Sequence, residues 1–342
     1  MSLIHRLYPL LRPLLFQFDA ETAHELTVKL LRFSHALGML PELKPDPATT
    51  REVMGLHFPN VVGLAAGMDK SASAVDAWGG LGFGHVEVGT LTPRPQPGNP
   101  TPRLFRLIEK EAIINRMGFN NPGVKAAVSK LERRNGEGIV GVNIGKNFDT
   151  PNERAVDDYL ICLREAYAVA DYIAVNISSP NTKGLRDLQA EEPIRRLVSA
   201  LKEEQQKLAT QHGKYKPLVV KIAPDLEPEQ IESLARVFTE NHLDGVIATN
   251  TTISRAAVQG HPLAGETGGL SGAPVMQRST EVIAALRAAM PASIPIIGVG
   301  GILSVADAEA KLKAGASLVQ LYTGLVYRGP ALISEIAKLR VV

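Results

Sequence analysis

The chain has 342 residues, with 37 Lys and Arg against 35 Asp and Glu, a formal net charge of +2, 45% hydrophobic residues and one cysteine. That length allows one large domain or two ordinary ones, and the apolar and charged shares are those of a folded protein rather than a disordered one. Near-neutral charge argues against a nucleic-acid partner, and the lone Cys162 excludes a disulfide framework, a zinc ribbon and an all-cysteine iron–sulfur site.

Residues 1–18 (MSLIHRLYPLLRPLLFQF) are greasy but broken by Arg6, Pro9, Arg12 and Pro13. No run approaches the ~18 apolar residues of a membrane span. No small-residue cleavage site follows, so a signal peptide is not expected. A short helix with two arginines is expected here. Asp19 can then cap a helix over 20–37, with Ala23, Leu26, Leu30, Phe33 and Leu37 on one face and Gly38 as its stop.

From residue 60 onward, short β-branched runs alternate with amphipathic stretches. The runs are 61–65 (VVGLA), 85–88 (HVEV), 139–144 (IVGVNI), 172–177 (YIAVNI), 218–222 (LVVKI), 245–249 (GVIAT), 294–299 (IPIIGV) and 318–322 (LVQLY). Continuous apolar runs, rather than alternating ones, mark strands buried on both faces of a parallel sheet. Between 152 and 170 the apolar residues Val156, Tyr159, Leu160, Leu163, Tyr167 and Ala170 keep helical spacing. Cys162 lies in that helix, where a small buried hydrophobe is a better reading than a reactive thiol. Segments 231–238 and 282–289 also read as helices.

Eight such units predict an α/β fold, a (β/α)8 TIM barrel with an N-terminal two-helix extension. The alternative, a doubly wound open sheet, lacks a G-x-G-x-x-G after its first strand. No composition break divides 60–342, so the expected division is a helical segment 1–45 and a barrel domain 46–342. The second strand is followed by a Pro-rich loop (92–103, TPRPQPGNPTPR) and a hairpin, 104–108 and 112–117, turning at Glu109, Lys110 and Glu111. An insert after a barrel strand lies on the catalytic face.

Chemistry in such barrels sits at the C-terminal strand ends. Those ends carry AAGMDK with Lys70, then Gly89 and Thr90, Asn143, NISSPN (176–181), Lys221, and Thr249 to Thr251. The loop after the sixth strand holds GGLSG (268–272), and the last two strands end in GVGG (298–301) and Tyr322-Thr323-Gly324. Glycine-rich loops after the late strands often hold a phosphate through backbone N–H groups. The other ends supply amides, hydroxyls and two lysines, but almost no Asp, Glu or His. That disfavours a metal hydrolase or a His-based acid–base enzyme. Taken singly, a glycine turn is often only a tight connection and a strand-end Asn only a cap. Their coincidence at most strand ends indicates a site for a planar, anionic, amide-rich ligand beside a phosphorylated cofactor. Lys221 stands out because it follows the apolar PLVV. A phosphate-ligand barrel without redox chemistry remains an alternative on these residues alone.

The segments AAGMDK, INRMGFNN, VNIGKN, VNISSPNTKGLR, VKIAPDL, ATNTT, GGLSG, GVGGI and LYTG stand in the order found in dihydroorotate dehydrogenases. The chain resembles that family over essentially its whole length. It looks like the class 2, quinone-dependent branch, because the N-terminal extension is present and the base position reads Ser179 where class 1 enzymes have Cys. The resemblance implies oxidation of (S)-dihydroorotate to orotate in pyrimidine (UMP) biosynthesis. The implied cofactor is FMN, with its phosphate on Gly272, Gly301, Tyr322 and Thr323. Ala66, Gly67, Thr90, Asn143, Asn176, Lys221 and Thr249 would meet the ring and ribityl chain. Lys70, Asn115, Arg116, Met117, Gly118, Phe119, Asn176, Asn181, Asn250 and Thr251 would hold the substrate. Ser179 would take a proton from C5 while a hydride leaves C6 for the flavin. No metal is implied.

The resemblance further implies a membrane quinone as final acceptor, entering between the N-terminal helices past His24 and Arg106. From the residues alone, His24 is an ordinary helix-surface histidine. Leu3, Ile4, Leu7, Leu10, Leu11, Leu14 and Leu15, with Arg6 and Arg12 alongside, suit a segment lying in a membrane interface. Packing on the barrel is compatible with that. The implied state is a monomer, peripheral to the membrane and, in a bacterium, on the cytoplasmic face of the inner membrane.

Overall fold

The computed structural model describes residues 3–40 and 46–340, with side chains from Leu7 onward. The chain begins with α1 (Leu3–Leu15) and α2 (Ala20–Ala36), followed by a hairpin of β1 (Arg51–Val53) and β2 (Leu56–Phe58). Then come β3 (Val62–Leu64), α3 (Val75–Gly79) and β4 (His85–Leu91). An insert hairpin follows, β5 (Leu104–Leu107) and β6 (Ala112–Asn115), and then α4 (Val124–Leu131). The alternation continues through β7 (Ile139–Ile144), α5 (Ala155–Ala166), β8 (Tyr172–Asn176), α6 (Glu191–His212), β9 (Leu218–Ile222), α7 (Pro228–Glu240) and β10 (Gly245–Ala248). It closes with β11 (Gly269–Gly272), α8 (Met276–Ala289), β12 (Ile296–Val299), α9 (Val305–Lys313), β13 (Leu318–Leu321), α10 (Thr323–Arg328) and α11 (Pro330–Ile336).

The strands β3, β4, β7, β8, β9, β10, β12 and β13 form a closed parallel barrel in that order, β13 pairing back onto β3. All eight runs read from the sequence are its staves. They are apolar because helices cover their outer faces while side chains fill the interior. Register places Gly63 beside His85 and Gly141 beside Tyr172. A Cβ on either glycine would fall within the neighbouring ring, so these small residues make room for large ones inside. The β1–β2 hairpin, not foreseen from the sequence, contributes Val53 and Phe58 to the interior cluster with Tyr172, Val219, Ile247 and Ile297.

The long insert forms the expected hairpin, with Glu111 in the left-handed region (φ 44°) at its turn. A correction concerns GGLSG. It is not only a glycine-rich loop: Gly269–Gly272 is a strand, β11, antiparallel to β6 in a three-stranded sheet. Glycines are required there by space. A Cβ on Gly272 would overlap the Glu111 carbonyl, and one on Gly269 would overlap the Thr251 side chain.

The extension is as expected in its elements. Asp19 caps α2 by accepting from the amides of Glu21 (2.9 Å) and Thr22 (3.0 Å), and Gly38 follows its end at φ 66°. Tyr8 Oη donates to the Val326 carbonyl (2.5 Å) and Arg12 to that of Tyr327 (2.7 Å), so α1 docks on the end of the barrel. Phe16 meets the Tyr327 ring edge-to-face at 5.5 Å. On α2, Ala23 and Leu31 are buried, whereas Leu26, Leu30, Phe33 and Leu37 are exposed. Of the expected stripe, Ala23 is therefore covered while its four larger members are left open. On α1, Leu7, Leu10, Leu11 and Leu14 are exposed too; the side chains of Leu3, Ile4 and Arg6 lie outside the described residues.

Candidate active site

The loops at the C-terminal ends of the staves surround one cavity of about 990 Å³, counting its open mouth. Of the residues picked from the sequence, Ala66, Gly67, Lys70, Thr90, Asn115, Met117, Gly118, Phe119, Asn176, Ser179, Asn181 and Lys221 line it. So do Thr249, Asn250, Thr251, Gly272, Gly301, Tyr322 and Thr323.

The turn after β3 is held by Asp69, whose carboxylate accepts from the amides of Ser73 and Ala74, both at 2.8 Å. It places the next residue, Lys70, on the cavity wall. Burial pulls the Lys70 amine down to about 8, with Glu21 pushing the other way. On β9, Lys221 is 5% exposed, and burial lowers its pKa against the pull of Glu87. Among the described residues neither lysine makes a hydrogen bond or an ion pair. Two cations without protein partners, Lys221 buried and Lys70 half-buried, are costly unless an anionic or polar ligand meets them.

The amides are tied into a network. Thr90 Oγ1 donates to Asn143 Oδ1 (2.5 Å) and accepts from Asn176 Nδ2 (2.9 Å). Asn250 Nδ2 donates to Ser178 Oγ (3.0 Å), and Asn181 Nδ2 to the Asn115 carbonyl (3.1 Å). Cavity-facing polar groups are thereby held in set orientations before any ligand binds, which limits the ordering cost of binding. Ser179, 5% exposed, accepts from the Asn181 amide at 3.2 Å. Cys162 is buried in α5, and burial raises its thiol well above the usual range. It is the small buried hydrophobe expected and has no place at the cavity.

Four chosen residues stand apart from the lining. Asn143 lies one hydrogen bond behind Thr90 and donates to Glu87 Oε1 (2.8 Å). The side chain of Arg116 is paired with Glu266 and lies over the Phe105 ring at 4.6 Å, away from the cavity. Arg106 donates to the carbonyls of Leu15, Phe16 and Phe18 at the α1–α2 junction, and its guanidinium covers the Phe16 ring at 4.6 Å. His24 is half-buried on α2, and burial, helped by the nearby Lys70 charge, pulls it down to about 3.

Sequence reading missed Gln320, which also lines the cavity, as do Ser271, Gly300 and Gly324 of the glycine-rich segments. It also missed Glu87, wholly buried beneath it, and Thr182, whose buried hydroxyl has no hydrogen-bond partner among the described residues. A signal existed for two of them. Glu87 and Gln320 interrupt apolar strands just as Lys221 does.

Residues 48–339 match the family model for dihydroorotate dehydrogenase. A relative from Chromobacterium violaceum, named dihydroorotate dehydrogenase (quinone), is 62% identical over 334 residues, covering 97% of each chain. One of the same name from Nitrosospira multiformis is 57% identical, covering 97% of this chain and 95% of its own. The crystal structure of DHODH in complex with ferulenol from Eimeria tenella superposes with a TM-score of 0.86 at 40% identity, covering 93% of this chain and 90% of that one.

Proposed function

Because the chain belongs to the dihydroorotate dehydrogenase family, we propose that its cavity holds FMN and dihydroorotate side by side and that Ser179 is the base. The protein is an oxidoreductase of pyrimidine biosynthesis. It oxidises dihydroorotate to orotate with a quinone as acceptor, and its family is flavin-dependent.

The residues fit FMN. Glycines at 272, 300, 301 and 324 open the wall where β11, β12 and β13 end, and a Cβ on Gly301 would sit 2.6 Å from the Met276 nitrogen. Backbone N–H groups of Gly272, Gly301, Tyr322 and Thr323 would hold the phosphate. Ala66, Gly67, Thr90, Asn176 and Thr249 would meet the ring and ribityl chain, with Asn143 acting through Thr90. FMN supplies the two-electron acceptor that takes hydride from substrate C6 and later yields the electrons to quinone.

Lys70 would pair with the substrate carboxylate, a charge-assisted contact strengthened by the buried setting. Asn115, Asn176, Asn181, Asn250 and Thr251 would hold the amide edges of the ring, and Gly118 lets the chain pass closely at φ 73°. Met117 and Phe119 would keep water from the reacting face, and Arg116, whose side chain and backbone are engaged by Glu266, Arg103 and Asn99, would steady the loop that carries them. Ser179 would remove the C5 proton; a serine needs a neighbouring outlet for that proton, since its own pKa is high. Lys221 would oppose negative charge developing at its end of the cavity.

The N-terminal segment, 1–45, would carry the quinone to the barrel domain, 46–342, past His24 and Arg106. Its exposed Leu10, Leu14, Leu30, Phe33 and Leu37 support contact with a membrane surface. Among the described residues no helix is long and apolar enough to cross a membrane. The attachment we infer is peripheral, by a monomer, at the cytoplasmic face of the inner membrane if the source is a bacterium.

The observation that carries this reading is the meeting of Lys70, Ser179, Lys221 and the amide set around one cavity. The test is anaerobic mixing of purified protein with dihydroorotate. The expected result is bleaching of the FMN absorbance, restored by a soluble quinone analogue. Colourless protein without releasable FMN, or flavin that dihydroorotate does not bleach, would overturn it.

A further inference from the structure

Lys311, on α9, is wholly buried, and the chemistry so far gives it no part. A buried lysine is expensive unless its charge is used or all its donors are satisfied. Its Nζ donates to Ser279 Oγ (2.5 Å), Thr280 Oγ1 (3.1 Å) and the Met276 carbonyl (3.4 Å). All three acceptors belong to the opening of α8. Ser279 Oγ in turn reaches the Gly300 carbonyl at 3.2 Å. The amine is therefore one hydroxyl away from the Gly300–Gly301 turn that lines the cavity. Contact there is already close. A Cβ on Gly300 would lie 3.0 Å from that same Ser279 Oγ.

Charge gives this placement a purpose. The cavity wall built from residues 271–324 contains glycines, hydroxyls, apolar groups and the Gln320 amide but no Lys, Arg or His. The lining lysines, Lys70 and Lys221, stand at the ends of β3 and β9. A phosphate monoester carries roughly −1.5 to −2 charge near neutral pH. At this end it would meet only backbone dipoles and neutral hydroxyls such as those of Ser271 and Thr323, were it not for the ammonium behind the turn. Arg278, also on α8, is committed to the carbonyls of Pro224 and Leu226.

We propose that Lys311 is a positioning residue for the cofactor phosphate. Its ammonium braces the Gly300–Gly301 turn through Ser279 and supplies the positive charge that the phosphate end otherwise lacks. The inference rests on the FMN reading above. Its electrostatics are consistent: burial pulls the amine down to about 7, Asp307 pushing it up, so a nearby phosphate dianion would favour the charged form.

The test separates the phosphate from the rest of the flavin. Full-length protein and its Lys311→Met variant are freed of flavin, and binding of FMN and of riboflavin is followed by flavin fluorescence. FMN affinity should fall about tenfold, the size of one charge-assisted contact, with riboflavin affinity unchanged. The KM for dihydroorotate at saturating FMN should also be unchanged. An equal fall for both flavins marks a purely structural residue and overturns the proposal, as does no fall. Should Lys311→Met fail to fold, Ser279→Ala cuts the same link to Gly300. Because the ammonium stays in place, the phosphate-selective loss should be smaller than that expected of Lys311→Met, and an unchanged FMN-over-riboflavin preference there overturns the proposal. Wild-type protein that binds no FMN would instead overturn the cofactor reading.

Discussion

Asn143 donates a 2.8 Å hydrogen bond to Glu87, and both side chains are wholly buried inside the barrel. Glu87 also accepts from Tyr172 Oη (2.9 Å) and Gln320 Nε2 (2.8 Å). The cavity floor thus hangs from a single carboxylate, through Asn143 to Thr90 and Asn176 on one side and through Gln320 on the other.

Removing that acceptor should be costly. Glu87→Ala leaves three buried donors without their partner, at ~1–3 kcal/mol each. The expected loss is at least about 3 kcal/mol in urea unfolding. Glu87→Gln keeps an acceptor oxygen and should lose less. A loss for Glu87→Ala no greater than that of an exposed substitution would show that the network carries little.

Ser179→Ala should bind orotate as tightly as wild type, because the carboxylate and amide contacts come from other residues. Flavin reduction by dihydroorotate should slow by roughly 10²–10⁴, the usual worth of a positioned base. Stopped-flow absorbance reads the rate. Near-normal reduction would remove Ser179 from the role.

The lowered pKa of Lys70 makes a pH prediction. Burial brings the amine to about 8, so it is charged below that pH and loses its proton as pH rises through it. Orotate affinity, read by flavin absorbance, should be flat on the acid side and decline above about pH 8. A bound carboxylate raises that pKa, so the complex persists to somewhat higher pH. Lys70→Met should bind weakly at every pH, with this alkaline limb gone. A wild-type profile flat to pH 10 would refute the assignment.

The exposed stripe on α2 can be tested without touching the cavity. Leu30 is 53% exposed and Phe33 64%. Burying each such side chain in a membrane interface is worth up to ~1.5–3 kcal/mol. The Leu30→Ser/Phe33→Ser double variant should sediment with anionic lipid vesicles at least about tenfold more weakly. Its flavin reduction by dihydroorotate should be unchanged. Equal sedimentation would exclude this face from membrane contact.

Arg106 clamps the α1–α2 junction through three backbone carbonyls. Arg106→Leu should spare flavin reduction and depress quinone-dependent turnover, with a raised KM for the quinone. His24, pulled to about 3, is neutral across the physiological range. Replacing it with Gln should therefore leave the pH profile of the quinone step without a lost inflection near 6–7. A shared loss in both half-reactions of Arg106→Leu would mark the clamp as structural only.

How much was legible in the sequence differs by element. The staves were, because a strand covered on both sides must be apolar along its whole length. The strand-end residues were, because consecutive β/α units put those ends on one face. Lys221 was, as a lone charge after an apolar run. Glu87 and Gln320 carry the same signal of a polar residue in an apolar run, but their role was not legible, since what they do depends on each other across 233 positions of chain. On α2 the helical period showed the apolar stripe, but periodicity does not say what covers a face, and here only Ala23 of that stripe is covered, together with Leu31 outside it.

The sequence by itself determined the alternation of strands and helices, the family, and the residue types that meet at the cavity, because these follow from local patterning and motif order. Tertiary structure alone decided which side chains point inward, how Glu87 and Lys311 are satisfied, and that Gly269–Gly272 is a strand. Those outcomes depend on space and hydrogen-bond partners supplied by distant segments, and no local pattern encodes a partner.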